Sequence, residues 1–157
     1  MLTTVLLFCF FIGCIAGLRS LTAPAAVCWA AHLGWLHFTG TNLSFIDHLP
    51  TLGLFTLLAL AELVTDKLPK TPARTAAPGL IARIIMGAFC GAALAIATGG
   101  GFLGGSVIGV IGALVGTFGG YHIRRALVTQ AHLPDIAVAL AEDLVAILGA
   151  FYIVSHV

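Results

Sequence analysis

The residues of this sequence that could carry chemistry are few, and most of them are ionisable. The chain of 157 residues has seven Lys and Arg and six Asp and Glu, against an apolar fraction of 60%. Ionisable side chains within apolar segments are costly, so they usually pair, face a cavity or mark a functional site. We therefore predict a candidate polar site made of Arg19, Glu62, Asp66, Lys67, Arg83, Arg124, Glu142 and Asp143.

Two chemistries fit this set of residues. Glu62 and Asp66 are four residues apart and would share one helix face. Glu142 and Asp143 lie nearly two turns inside the last apolar run. If these acids face arginines, they would form either a structural ion-pair clamp or a site for an ion, a proton or an anionic headgroup. The sequence leaves both interpretations open.

Catalytic, metal and nucleic-acid sites are not predicted. Cys28 and His32 share a helix face, but no second pair of ligands accompanies them at metal-binding spacing. Ser20, His122 and Glu62 belong to no nucleophile–base motif. We therefore expect neither an enzyme nor a cofactor, and the absence of a basic stripe with interleaved aromatics argues against nucleic acid as a partner.

The elements that must position the charges are apolar runs. Only 8% of the residues are charged, whereas soluble proteins average about 25%. Since a bilayer crossing needs roughly 20 apolar residues, we predict a single all-α transmembrane domain over residues 1–157. Its six predicted crossings are Leu2–Leu18, Thr22–Phe38, Thr51–Val64, Leu80–Thr98, Phe102–Gly120 and Ile136–Val154, and the second of these could instead re-enter the membrane.

Glycine, proline and polar residues mark the connections between these runs. We expect Gly17 to end the first helix and Thr22 to cap the second. The segments Thr39–Pro50, Thr65–Pro78 and Tyr121–Asp135 are predicted as polar loops, and residues 99–101 as a hairpin. Small residues at three- and four-residue steps predict that the fifth helix packs centrally or forms a sliding surface; they are Gly105, Gly109, Gly112, Gly116, Gly119 and Gly120.

The distribution of Lys and Arg predicts the orientation. With six crossings, all seven basic residues fall on one side, which the positive-inside rule makes cytoplasmic. Both termini would then be external, and the protein would lie in a bacterial inner membrane with the lipid bilayer as its partner. The basic residues outside the candidate site are Lys70, Arg74 and Arg125.

Two segments resemble a known family. GLRSLTAP (residues 17–24) and AELVTDKLPKTPARTAAPGLIARI (residues 61–84) are similar to DUF4126, a family of bacterial membrane proteins of unknown function. The resemblance supports a membrane protein and draws attention to Glu62, Asp66 and Lys67. It implies no activity, substrate or cofactor.

Three classes of function are compatible with these features. The first is a small transporter- or channel-like protein for an ion or anionic solute, with the charged residues at its cytoplasmic end. The second is a structural or accessory membrane subunit that packs with itself or a partner. An intramembrane enzyme is the third and has the least support, since no catalytic motif is present. Because a permeation path is easier to build in an oligomer, we also predict a homodimer.

Overall fold

The computed structural model describes residues 2–67 and 75–157, and these residues form an all-α bundle. Six α-helices and one short 3₁₀ helix, Ser44–Asp47, occur in the described chain. This confirms the predicted all-α class. The α-helices are α1 (Leu2–Leu18), α2 (Thr22–His32), α3 (Leu49–Thr65), α4 (Ala77–Ala97), α5 (Phe102–Thr129) and α6 (Asp135–Ser155).

Helices α1, α4 and α5 pack backbone to backbone through glycine. A β-carbon on Gly109 of α5 would collide with the carbonyl oxygen of Gly87 in α4. One on Gly112 would collide with the carbonyl oxygen of Phe10 in α1. Glycine permits this approach because it has no side chain, and the close contact yields van der Waals energy. Gly105 and Gly116 pack in the same way, whereas Gly119 faces open space.

Helix α2 is shorter than the predicted crossing Thr22–Phe38, because it ends at His32. Gly34 has a φ of 75°, a left-handed conformation that glycine adopts without strain. Its N–H donates to Ala31 O at 3.1 Å, and the N–H of Trp35 donates to Ala30 O at 2.8 Å. This pair of bonds is a Schellman motif, which terminates a helix. Eleven residues span about 16 Å, roughly half of a bilayer core.

The segment between α2 and α3 is irregular and mostly exposed, but a few apolar side chains anchor it to the bundle. Leu36, Phe38 and Ile46 are buried. The ring of Phe45 lies 6.3 Å from that of Phe89 in α4. The predicted polar loop Thr39–Pro50 therefore carries apolar anchors and the 3₁₀ helix, and Pro50 belongs to the first turn of α3.

Helix α5 extends nine residues beyond the predicted end at Gly120, so the predicted polar connection Tyr121–Asp135 is wrong over its first part. Residues 121–129 contain no Gly or Pro, and Ala, Leu and Arg are good helix formers. Polar composition does not by itself distinguish a loop from the exposed end of a helix. The helix ends at Thr129, and three residues later His132 has a φ of 52°.

Three helices, α4, α5 and α6, are long and apolar enough to cross a membrane by length and composition. Helices α1 and α3 are apolar but have 17 residues each. The prediction of six crossings, each made by one helix, is therefore wrong for α2. Of the predicted loop Thr65–Pro78, residues 68–74 lie outside the described residues, and Lys70 and Arg74 are among them.

Candidate functional site

Most of the predicted site residues lie at one end of the bundle, where α1 and α3 end and where α2, α4 and α6 begin. We call this the charged end. It places the side chains of Arg19, Glu62 and Arg83 around the α1–α2 turn, and all three are buried. A turn is usually exposed to water because its backbone groups need partners. Here neighbouring helices supply those partners.

Arg19 lies at the centre of the charged end and is 0% exposed. Its guanidinium pairs with the carboxylate of Asp66 at the end of α3. A second nitrogen, Nη2, lies 2.6 Å from Oδ1 of Asp143 in α6. The α1–α2 turn is thus joined by charge to both α3 and α6.

Asp143 bridges two cations. Its Oδ2 lies 2.6 Å from Nζ of Lys67, which also donates to the carbonyl oxygen of Leu63 at 2.7 Å. Two positive and two negative side chains therefore balance within one group. We call Arg19, Asp66, Lys67 and Asp143 the Arg19 cluster. Because an unpaired buried charge is strongly destabilising, this balance makes the burial tolerable.

Glu62 has a different role from the predicted pairing with arginine. Its Oε1 accepts from the Ser20 hydroxyl at 2.6 Å and the Ser20 N–H at 2.8 Å, and its Oε2 accepts from the Leu21 N–H at 2.8 Å. Leu21 directly precedes α2, so the carboxylate satisfies backbone donors at the positive end of this helix. Thr22, the expected cap, is instead the first residue of α2, and no side-chain cap comes from the adjoining residue.

The opposite side of the turn is held through the carbonyl oxygen of Gly17. This oxygen accepts from Arg83 Nε at 3.1 Å and from the Thr117 hydroxyl at 3.2 Å. Gly17 lies in the last turn of α1, whose carbonyls have no partner within the helix. Arg83 therefore stabilises the negative end of α1, as Glu62 stabilises the positive end of α2.

Arg124 belongs to a separate and more exposed group. It forms two hydrogen bonds with Asp135, at 2.9 and 2.8 Å, and lies 3.7 Å from Oε2 of Glu142. The Asp135 side chain is 62% exposed. This pair joins the end of α5 to the start of α6 and contributes little stability, since exposed ion pairs contribute about 0–1 kcal/mol.

Four buried side-chain atoms of the charged end have no hydrogen-bond partner within the described chain. Nη2 of Arg19 and Oδ1 of Asp143 form the ion pair described above, which leaves Nε of Arg19 and Oγ1 of Thr22 without a polar contact. Buried polar groups are nearly always hydrogen-bonded, so such atoms indicate either a bound water or ion, or a second arrangement of the site. Both atoms flank the α1–α2 turn in sequence.

The structure thus divides the eight predicted residues into three groups. Arg19, Asp66, Lys67 and Asp143 form one cluster, Glu62 and Arg83 secure the ends of two helices, and Arg124 and Glu142 lie in a peripheral group. Sequence reasoning considered Ser20 only as a catalytic residue, which it rejected, and missed Thr117. Thr117 is the one hydroxyl residue on the buried, glycine-rich face of α5, and that contrast is the signal that could have identified it.

Comparison with known proteins identifies a family for this chain but no activity. The family model described as "Domain of unknown function (DUF4126)" matches residues 6–156. No curated protein matches the chain, and neither does any solved structure. The match covers nearly the whole bundle, including both segments that build the charged end, and the chain belongs to the DUF4126 family.

Proposed function

We propose that this protein is a multi-pass protein of a bacterial inner membrane, with its charged end in the cytoplasm and both termini outside. Five of the seven basic residues lie at the charged end of the described bundle. Cytoplasmic segments are enriched in Lys and Arg. The exposed leucines and valines of α3, α5 and α6 would face lipid.

In this topology, α2 and residues 33–48 together make one pass. Helix α2 leaves the charged end and stops partway, and the irregular segment completes the distance before α3 returns. Irregular backbone at membrane depth is tolerated where it is buried in protein or lines a cavity. The buried side chains of Leu36, Phe38 and Ile46 support this pass because they anchor the segment to the bundle.

Cysteine labelling tests the topology in a variant without Cys9, Cys14, Cys28 and Cys90. We expect an impermeant maleimide added outside the cell to label Asn42→Cys, between α2 and α3. Gln130→Cys, after α5, should react only after permeabilisation. The reverse pattern would overturn the orientation.

For activity, we propose transport of a small ion or anionic solute, with the Arg19 cluster as its cytoplasmic gate. The observation that carries this proposal is the short helix α2, which begins at a buried charge cluster and has only 11 residues, about half the length of a bilayer crossing. Interrupted helices with ionisable groups at their ends form ion and substrate sites in secondary transporters. Separation of α3 and α6 at the Arg19 cluster would open the cytoplasmic side.

Thermal-shift and flux measurements test this activity with chloride, phosphate, sodium and protons as probes. A ligand at a hundredfold excess over Kd stabilises the folded state by about 2.7 kcal/mol. We expect at least one probe to give a saturable shift and saturable flux into liposomes. A transported anion would compete for binding to Lys67, so Lys67→Gln would abolish both the thermal shift and the flux. If the ligand is a cation, Asp143→Asn would abolish both signals instead. Arg124→Gln, in the peripheral pair, is the control.

The alternative is an accessory subunit, in which the same cluster is a clamp. It is favoured by the complete charge balance of the Arg19 cluster, in which each carboxylate already contacts a cation. No shift or flux with any probe, together with a stable partner recovered by crosslinking, would overturn transport in favour of this role. A homodimer stays a prediction, testable by the same crosslinking.

A further inference from the structure

Arg125 differs from the other basic residues of the described chain. Arg19 and Lys67 pair with acids, Arg83 donates to backbone carbonyls, and Arg124 pairs with Asp135. Among the described residues, the guanidinium of Arg125 makes no such contact, and its side chain is exposed. It is therefore a cation available to an anion from outside the bundle.

A groove lies beside this cation. It has a volume of about 310 Å³. Its lining offers an imidazole, a guanidinium, a hydroxyl and a carboxamide, so most of its polar groups can donate hydrogen bonds. Phosphate oxygens accept from such groups, and arginine can bind them in a bidentate manner. The lining residues are His122, Arg125, Ala126, Thr129 and Gln130.

The position of the groove along α5 favours a lipid over a soluble anion. Helix α5 has 28 residues, or about 42 Å, so it exceeds a hydrocarbon core of about 30 Å by about two turns. The groove occupies the last two turns, on the same side of the bundle as the charged end. Ile123 and Leu127, which are exposed on the adjoining face at the same level of α5, would offer apolar surface to the acyl chains of a bound lipid.

We propose that this groove, named here the Arg125 groove, binds the phosphodiester of an anionic phospholipid on the cytoplasmic side. Arg125 binds the phosphate oxygens, while His122 and Gln130 donate further hydrogen bonds to the headgroup. The assignment of the lipid to the cytoplasmic leaflet rests on the topology proposed above, and it does not rest on the proposed transport activity. The lipid site can therefore be confirmed or overturned independently of the gate.

Native mass spectrometry of protein released from nanodiscs tests the proposal. The discs contain phosphatidylcholine alone or phosphatidylcholine with phosphatidylglycerol. We expect wild-type protein to retain phosphatidylglycerol preferentially. Removing one basic contact near a membrane surface costs about 1 kcal/mol, so Arg125→Gln should bind phosphatidylglycerol about fivefold more weakly. His122→Gln should weaken binding as well, whereas Arg125→Lys should retain most of it.

Two controls complete the test. His48→Gln, at the far end of the bundle, should leave phosphatidylglycerol retention unchanged. Inorganic phosphate, added to protein in detergent, tests whether a free anion is sufficient for binding at the groove. Retention unaffected by both Arg125→Gln and His122→Gln would overturn the site. If inorganic phosphate bound as strongly as phosphatidylglycerol, the assignment of the site to a lipid would be overturned.

Discussion

Oε2 of Glu62 accepts a hydrogen bond at 2.8 Å from the backbone N–H of Leu21, the residue directly before α2. A side chain near the end of one helix thereby performs the capping role that an adjoining Ser, Thr, Asn or Asp usually performs. The bond also fixes how α3 meets the α1–α2 turn. Helix initiation and tertiary packing are coupled at this contact.

Substitution of Glu62 should therefore destabilise the fold. Loss of a helix cap costs about 0.5–2 kcal/mol, and bonds to a charged acceptor are stronger than neutral ones. We expect Glu62→Ala to lower the melting temperature in detergent clearly, and Glu62→Gln to lower it less, because one oxygen still accepts. Asp47→Asn, the exposed acid outside the charged end, is the control. An unchanged melting temperature in Glu62→Ala would contradict the capping role.

The Arg19 cluster predicts non-additive effects. Arg19→Gln leaves Asp66 and Asp143 near each other without the central cation, and breaking a buried pair costs roughly 3–5 kcal/mol. Adding Asp66→Asn removes one uncompensated charge, so the double variant should be more stable than Arg19→Gln alone. Thermal unfolding of the wild type, Arg19→Gln, Asp66→Asn and the double variant measures this coupling. If the losses of stability caused by Arg19→Gln and Asp66→Asn simply add in the double variant, Arg19 and Asp66 do not interact.

Glycine packing on α5 predicts a contrast within one helix. In Gly109→Ala the new β-carbon would meet the backbone of Gly87, which cannot move without displacing α4. Overpacking of this kind typically costs about 1–3 kcal/mol. Gly104→Ala, where nothing lies within 4 Å, should be neutral or stabilising, since alanine favours helix. Equal melting temperatures for the two variants would disprove the close approach of α4 and α5.

The end of α2 predicts a second glycine effect with a different cause. Gly34→Ala meets no steric neighbour, but a left-handed conformation costs a non-glycine residue about 1–2 kcal/mol. We expect a lower melting temperature. Gly53→Ala, in α3 with equally open surroundings, should not show this loss. If Gly34→Ala matches Gly53→Ala, the left-handed helix end is not required.

The sequence by itself determined the helical class and most helix boundaries. Apolar runs bounded by Gly and Pro placed α1, α4 and α6 within a few residues, because these signals are local. The segregation of Lys and Arg likewise placed Arg19 and Arg124 at one end. The sequence could not show that α2 stops at His32, since that end depends on the left-handed conformation of Gly34.

Only the tertiary structure decided which charged residues act together. Glu62 and Asp66 share a helix face, yet Glu62 binds the backbone of Ser20 and Leu21 while Asp66 binds Arg19. That division depends on how α3 approaches the α1–α2 turn. The close packing of α1, α4 and α5 separately brings Arg83 and Thr117 to Gly17. Partner choice among like charges is set by distances across helices, and spacing along the chain does not encode those distances.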